Sequence, residues 1–121
     1  MKDLLFAFDL SNIRKGLERA QYIKGLGPAG GSGLLAVLFP KWFGSVDRFV
    51  VKALLEIPRL PERPKLLRMN PESLTNDDAM VPIEIFRKKA AQLNAYFHTE
   101  DWTPRKIDIV LWTLGVSQRC S

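Results

Sequence analysis

The sequence predicts an all-α domain, a compact bundle of about five or six helices. Along several segments, apolar residues recur at steps of three and four, the spacing that places them on one helix face. Serine, threonine, proline and glycine stand where these segments begin and end, as helix caps and breakers do. No segment alternates apolar and polar residues for long enough to predict a strand. With 121 residues, 46% apolar and 26% charged, the chain is typical of one globular domain spanning residues 1–121.

Two helices joined by a tight hairpin are predicted between about residues 10 and 39. Ser11 is the predicted N-cap of the first helix. Its apolar face contains Leu10, Ile13, Leu17 and Ala20. Pro28 opens the second helix, because proline at the first helical position loses no hydrogen bond. Between the helices lie Gly25 and Gly27, and two glycines this close together predict a tight turn.

Three more helices are predicted after residue 39. Ser45 is the predicted N-cap of the first. Its apolar face contains Val46, Phe49, Val50, Ala53 and Leu54. Three prolines at a spacing of three residues predict an extended connection over residues 58–64. Two C-terminal helices are predicted within about residues 76–115. A capping-box spacing starts the first at Thr75, and Thr103-Pro104 starts the second, which is expected to end at Gly115.

The charge balance favours an anionic partner. Eighteen basic and thirteen acidic residues give a net charge of +5. Nucleic acid is the first candidate for such a partner. The apolar segment at residues 1–10 is too short to span a membrane and is interrupted by Asp3 and Asp9, so we expect neither a signal peptide nor a membrane partner.

Cysteine and histidine usage predicts no disulfide and no metal site. The single cysteine, Cys120, excludes a disulfide within the chain, so a cytoplasmic location is expected. Cys120 and the single histidine, His98, are far apart in the sequence, so we expect no bound metal and no cofactor.

The hairpin resembles a known DNA-binding motif. Residues 23–28 read Ile-Lys-Gly-Leu-Gly-Pro, followed by a run of small residues, and this pattern resembles the helix-hairpin-helix motif. The resemblance implies that backbone N–H groups around Gly25, Leu26 and Gly27 bind a phosphate of duplex DNA, which carries no sequence information. Lys24 and Lys41 would add positive charge. Trp42, in the loop beside the hairpin helices, is the candidate for stacking a base.

A second segment resembles part of the helix-hairpin-helix DNA glycosylase superfamily. Residues 43–53 are similar to the stretch that carries the catalytic aspartate in that superfamily, and the match rests on Val46, Asp47, Val50 and Lys52. The resemblance implies that Asp47 stabilises positive charge on the sugar of a flipped nucleotide or activates a water. Bifunctional members carry a lysine 18 positions before the aspartate, where this chain has Ala29, so the resemblance implies at most a monofunctional enzyme.

Three functions follow as alternatives. Glycosylases of this superfamily are about twice as long as this chain and place the base pocket between two helical domains, so the resemblance implies a truncated or degenerate member. The first prediction is therefore a non-catalytic DNA-binding module that contacts the phosphate backbone without strong sequence specificity. The second is a base-excision repair glycosylase that uses Asp47, with its pocket completed by a second copy or a partner chain. The third is a protein-interaction domain in which the hairpin is only structural.

Overall fold

The structure, a computed structural model, describes residues 9–22, 26–57 and 59–120, with the side chains of 115–120 left out. The described residues form six helices and no strand, which confirms the all-α prediction. The helices are α1 (Ile13–Ala20), α2 (Pro28–Leu38), α3 (Arg48–Leu55), α4 (Arg63–Leu67), α5 (Asn76–Phe97) and α6 (Pro104–Cys120).

Two helix starts match their predicted caps. At the start of α5, the Thr75 hydroxyl accepts the Asp78 N–H at 3.1 Å and the Asp78 carboxylate accepts the Thr75 N–H at 3.0 Å, which is a complete capping box. At the start of α6, the Thr103 hydroxyl accepts the Lys106 N–H at 3.3 Å. Both signals are local in sequence, so they needed no tertiary information.

Two other predicted caps are wrong. Asn12, not Ser11, caps α1, because the Ser11 N–H and hydroxyl are both bound by the Asp9 carboxylate. Asp47, not Ser45, caps α3, and the Ser45 N–H is bound by a carboxylate of α6. In each case the helix begins later than expected, so the residue directly before its first turn, Asn12 or Asp47, is the cap.

Two boundaries also differ from their predictions. The proline-rich stretch is not extended throughout, since α4 begins at Arg63 with Pro64 in its first turn, where a missing N–H costs no helical hydrogen bond. Pro58, where that stretch begins, lies outside the described residues. Helix α6 passes Gly115 and continues to Cys120, because glycine inside a helix costs only about 1 kcal/mol relative to alanine.

One hydrophobic core joins all six helices. Helix α3 packs most extensively on α6, α1 packs on α2, and α5 contacts α1, α2, α4 and α6. The largest wholly buried apolar side chains are Phe43, Phe86, Leu17, Leu35, Leu54 and Leu66. Phe43 and Val46 come from the loop between α2 and α3, so this loop is packed as tightly as the helices.

Gly44 lets that loop pass between α5 and the start of α6. A Cβ on Gly44 would lie 2.6 Å from Phe86 Cδ2 and 2.8 Å from the Pro104 carbonyl oxygen. The second neighbour is backbone and has little room to move, so only glycine fits here. The loop therefore depends on the absence of a side chain at position 44.

We expect Gly44→Ala to lower the free energy of unfolding by about 1–3 kcal/mol, because the added methyl group overpacks a rigid site. Gly33→Ala is the matched control. The added Cβ there lies 3.6 Å from Ser45 Oγ, an ordinary contact, and alanine in α2 should raise stability by up to about 1 kcal/mol. Urea unfolding of both variants measures the difference. Equal stabilities would contradict the close approach at Gly44.

Candidate functional site around Asp47

The predicted hairpin is described only at its end. Lys24 and Gly25 lie outside the described residues. Leu26 is half-buried, and Gly27 is exposed and is the N-cap residue of α2. The φ of Gly27 is −96°, which any residue can adopt, so glycine here provides room and not an unusual backbone angle.

Helix α2 begins without a side-chain cap. Side-chain oxygens accept an N–H at the starts of α1, α3, α5 and α6, whereas Gly27 has no side chain and the first turn of α2 contains no acidic residue. Ala29 and Gly30 in that turn are exposed. The backbone N–H groups at this helix start are therefore left for solvent or a ligand.

Asp47 caps α3 at the end of a tightly held turn. Its Oδ1 accepts the Val50 N–H at 3.0 Å. The Ser45 N–H donates to Asp108 Oδ2 at 2.6 Å, and the Val46 N–H donates to Ser32 Oγ at 2.9 Å. Within the described ranges, Ser32 and Asp108 are the buried polar side chains of the fold. Both are used to hold the turn that presents Asp47.

A first cleft brings the end of the hairpin and Asp47 together. This hairpin cleft has a volume of about 420 Å³ and is lined by the start of α2 (residues 27–30), the start of α3 (residues 47–49) and the loop at residues 71–74. Arg48 and Glu72 form an ion pair in it, with 3.3 Å between Nη1 and Oε2. Three helices, α2, α3 and α5, thus begin at or beside one cleft.

A second cleft also has Asp47 in its lining. This α6 cleft has a volume of about 400 Å³. It is lined by Ser45, Asp47, Arg105, Asp108, Ile109 and Trp112. Trp112 is 45% exposed, and its ring packs edge-on against Phe49 with 6.2 Å between the centroids. Asp47 is the acidic residue shared by both clefts.

The carboxyl group of Asp108 is buried, which is unfavourable for its charged form. Burial raises the pKa of its carboxyl, while the N–H of Ser45 and the guanidinium of Arg105 oppose that rise. The negative charge of Asp47 adds to the increase, which indicates that the two carboxylates are close enough to interact. The α6 cleft therefore combines two acids, one arginine and an exposed indole.

Lys41 and Trp42, the other predicted site residues, lie away from both clefts. Lys41 and Trp42 follow the C-terminal end of α2, and its 11 residues separate them from Gly27 by about 16 Å along the helix axis. The Trp42 ring is 41% exposed, with the Arg87 guanidinium 5.6 Å from its centroid. Arg87 Nε also donates to the Trp42 carbonyl at 2.7 Å. These contacts tie Trp42 to α5, and neither Lys41 nor Trp42 lines the hairpin cleft or the α6 cleft.

The sequence did not identify Arg105 and Asp108 as site residues. A signal for Asp108 exists, since it lies four residues after Pro104 and three before Leu111, and both of these are buried on the inner face of α6. Trp112 follows the buried Leu111 on α6 but is itself half exposed. Its position depends on how α3 packs on α6, which the sequence pattern does not specify.

Comparisons with protein-family models, curated proteins and solved structures found no match to this chain. Among the described residues, no helix has both the length and the apolar character that a membrane span requires. Within those same ranges, no three acidic, histidine or cysteine side chains cluster as metal ligands would.

The raised pKa of Asp108 predicts a pH dependence of stability. The folded chain holds this proton more tightly than the unfolded chain, so stability falls as pH rises from the ordinary value of 3.8 through the raised value. Asp108→Asn removes the titration. The free energy of unfolding of the variant minus that of the wild type should therefore increase over this pH range, as measured by urea unfolding from below 3.8 to neutral pH. A difference that is constant or decreases with pH would be inconsistent with a raised pKa.

Proposed function

We propose that this chain is a DNA-binding domain of the helix-hairpin-helix type that contacts the phosphate backbone without strong sequence specificity. The observation that carries the proposal is the exposed and uncapped start of α2 directly after the hairpin. Unpaired N–H groups and the positive end of the helix dipole favour an anion at such a place.

The surroundings of Gly27 leave room for a phosphate. A Cβ built on Gly27 would have no atom within 4 Å, and Ala29 and Gly30 beside it are small and exposed. A phosphate can therefore come close to the backbone N–H groups of the first turn. The exposure of these residues favours a binding role over a hairpin that only joins two packed helices.

The hairpin cleft has more acidic than basic side chains, so a phosphate must find a cation there. Its lining contains Asp47 and Glu72 against one cation, Arg48. Arg48 and Glu72 are 42% and 60% exposed, so their ion pair contributes little to stability and exchanges readily. A bound phosphate would replace Glu72 as the partner of Arg48, and the net charge of +5 would favour the approach of DNA.

We expect Gly27→Glu to weaken binding to a labelled DNA duplex by about tenfold or more, because the new carboxylate lies where the phosphate would bind. Val37→Glu is the matched control. It makes the same charge change on the same helix, at a side chain that is 70% exposed and distant from the hairpin cleft. Fluorescence anisotropy at several salt concentrations measures both variants, and circular dichroism confirms that they are folded. Equal loss in the two variants, or no binding by the wild type at low salt, would refute the proposal.

The second candidate is a monofunctional DNA glycosylase, and the α6 cleft is the observation that favours it. Asp47 lies on the wall of this cleft of about 400 Å³, together with the exposed ring of Trp112. Asp47 Oδ2 accepts no hydrogen bond from the described residues, so it remains able to face a sugar. In such an enzyme the carboxylate stabilises the positive charge that develops as the base leaves.

Asp47→Asn separates this candidate from the first. Asparagine caps helices as well as aspartate does, so the variant should fold, and it should bind DNA as tightly as the wild type or more tightly because one negative charge is removed. If Asp47 is catalytic, base release from a lesion-bearing duplex should fall to background in the variant. Asp47→Ala serves as the structural control, because losing the cap costs about 1 kcal/mol. A wild-type protein that binds DNA but releases no base from any common lesion would remove the enzyme candidate and leave the binding module.

A further inference from the structure

Arg105 is held in a fixed orientation beside the α6 cleft. Its Nη1 donates to both oxygens of Asp108, at 2.9 Å and 3.2 Å. Its backbone N–H donates to the Pro40 carbonyl at 3.3 Å. Nε and Nη2 donate to no acceptor among the described residues, and the side chain is 35% exposed. The guanidinium is thus anchored through one nitrogen and has further N–H groups left over.

The anchor itself is rigid. The Asp108 side chain is only 3% exposed, and its Oδ2 also accepts the Ser45 N–H at 2.6 Å. A carboxylate held by both a backbone turn and α6 has little freedom to rotate. It therefore limits the movement of the guanidinium, which reduces the entropy that is lost when a ligand binds it.

Arg105 and the end of the hairpin line two clefts that share Asp47. The start of α2 lines the hairpin cleft, and Arg105 lines the α6 cleft. A DNA strand whose phosphate occupies the start of α2, and which continues past Asp47, meets the free N–H groups of Arg105. Phosphate oxygens match the fork of donors that a guanidinium presents.

We propose that Arg105, oriented by Asp108, is a second phosphate-binding group that contacts the DNA strand in the α6 cleft, which shares Asp47 with the hairpin cleft. The inference rests on the proposed DNA binding and adds a specific contact to it. Asp108 acts as a positioning residue, since it touches the arginine and not the DNA.

The role of Asp108 can be tested because two explanations predict opposite signs. If only net charge mattered, removing the negative charge of Asp108 would strengthen binding to a polyanion. If Asp108 orients Arg105, the same change weakens binding although the protein becomes more positive. A merely structural role for Asp108 would change stability without this effect on affinity.

The first comparison uses two neighbouring cations of α6. Arg105→Gln should weaken binding to a labelled DNA duplex by about tenfold and reduce the slope of log affinity against log salt by about 0.9. Lys106→Gln removes the same charge from the adjacent, exposed residue and should have a clearly smaller effect. Equal effects in the two variants would overturn the proposal, because general electrostatics would then explain both.

The second comparison uses two acids. Asp108→Asn should weaken binding, whereas Asp101→Asn, at an exposed residue just before α6, should leave it unchanged or slightly stronger. Tighter binding by a folded Asp108→Asn would overturn the positioning role. If that variant is unfolded by circular dichroism, the Arg105→Gln and Lys106→Gln pair decides alone. If Gly27→Glu weakens DNA binding but Arg105→Gln has no larger effect than Lys106→Gln, the hairpin proposal is retained and the role of Arg105 is rejected.

Discussion

Two hydrogen bonds, one buried and one partly buried, hold the turn before α3 and connect it to α2 and α6. The N–H groups of Ser45 and Val46 lie outside any helix, and an unpaired buried N–H costs about 1–3 kcal/mol. Asp108 from α6 and Ser32 from α2 accept them. The turn therefore fastens α2, α3 and α6 to one another through polar contacts inside an otherwise apolar core, and its position determines where Asp47 points.

The same turn explains why the loop between α2 and α3 behaves as part of the core. Phe43 and Val46 bury their side chains in the main cluster, and Gly44 passes against Phe86 and the backbone of Pro104. Movement of this loop would break the hydrogen bonds of Ser45 and Val46 and would also expose the side chains of Phe43 and Val46. A residue presented by such a loop is as well positioned as one on a helix, which is what a binding or reacting group requires.

Local patterns predicted the helices well and the caps only in part. The spacing of apolar residues and the paired signals at Thr75–Asp78 and Thr103–Pro104 depend only on neighbours in sequence. They were therefore sufficient to predict the helices and these two caps. Ser45 does not cap α3 and donates its N–H to Asp108, which lies 63 residues away, a contact that local patterns cannot predict. Gly27 and Asp47 line one cleft and are only 20 residues apart in the sequence. The positions of Arg105 and Trp112 follow from the packing of α3 on α6, and the spacing of apolar residues does not specify that packing.

The two arginines beside Asp47 differ in the burial of their acidic partners. Arg48 pairs with Glu72, whose side chain is 60% exposed, so water and salt screen the pair and the arginine can change partners. Arg105 pairs with Asp108, which is 3% exposed and also holds a backbone N–H, so this pair stays together when a ligand arrives. On the proposed function, Arg48 exchanges Glu72 for a phosphate, while Arg105 keeps Asp108 and offers its remaining donors. One contact then adapts to the DNA, the other keeps its position, and both lie in clefts that are lined by Asp47.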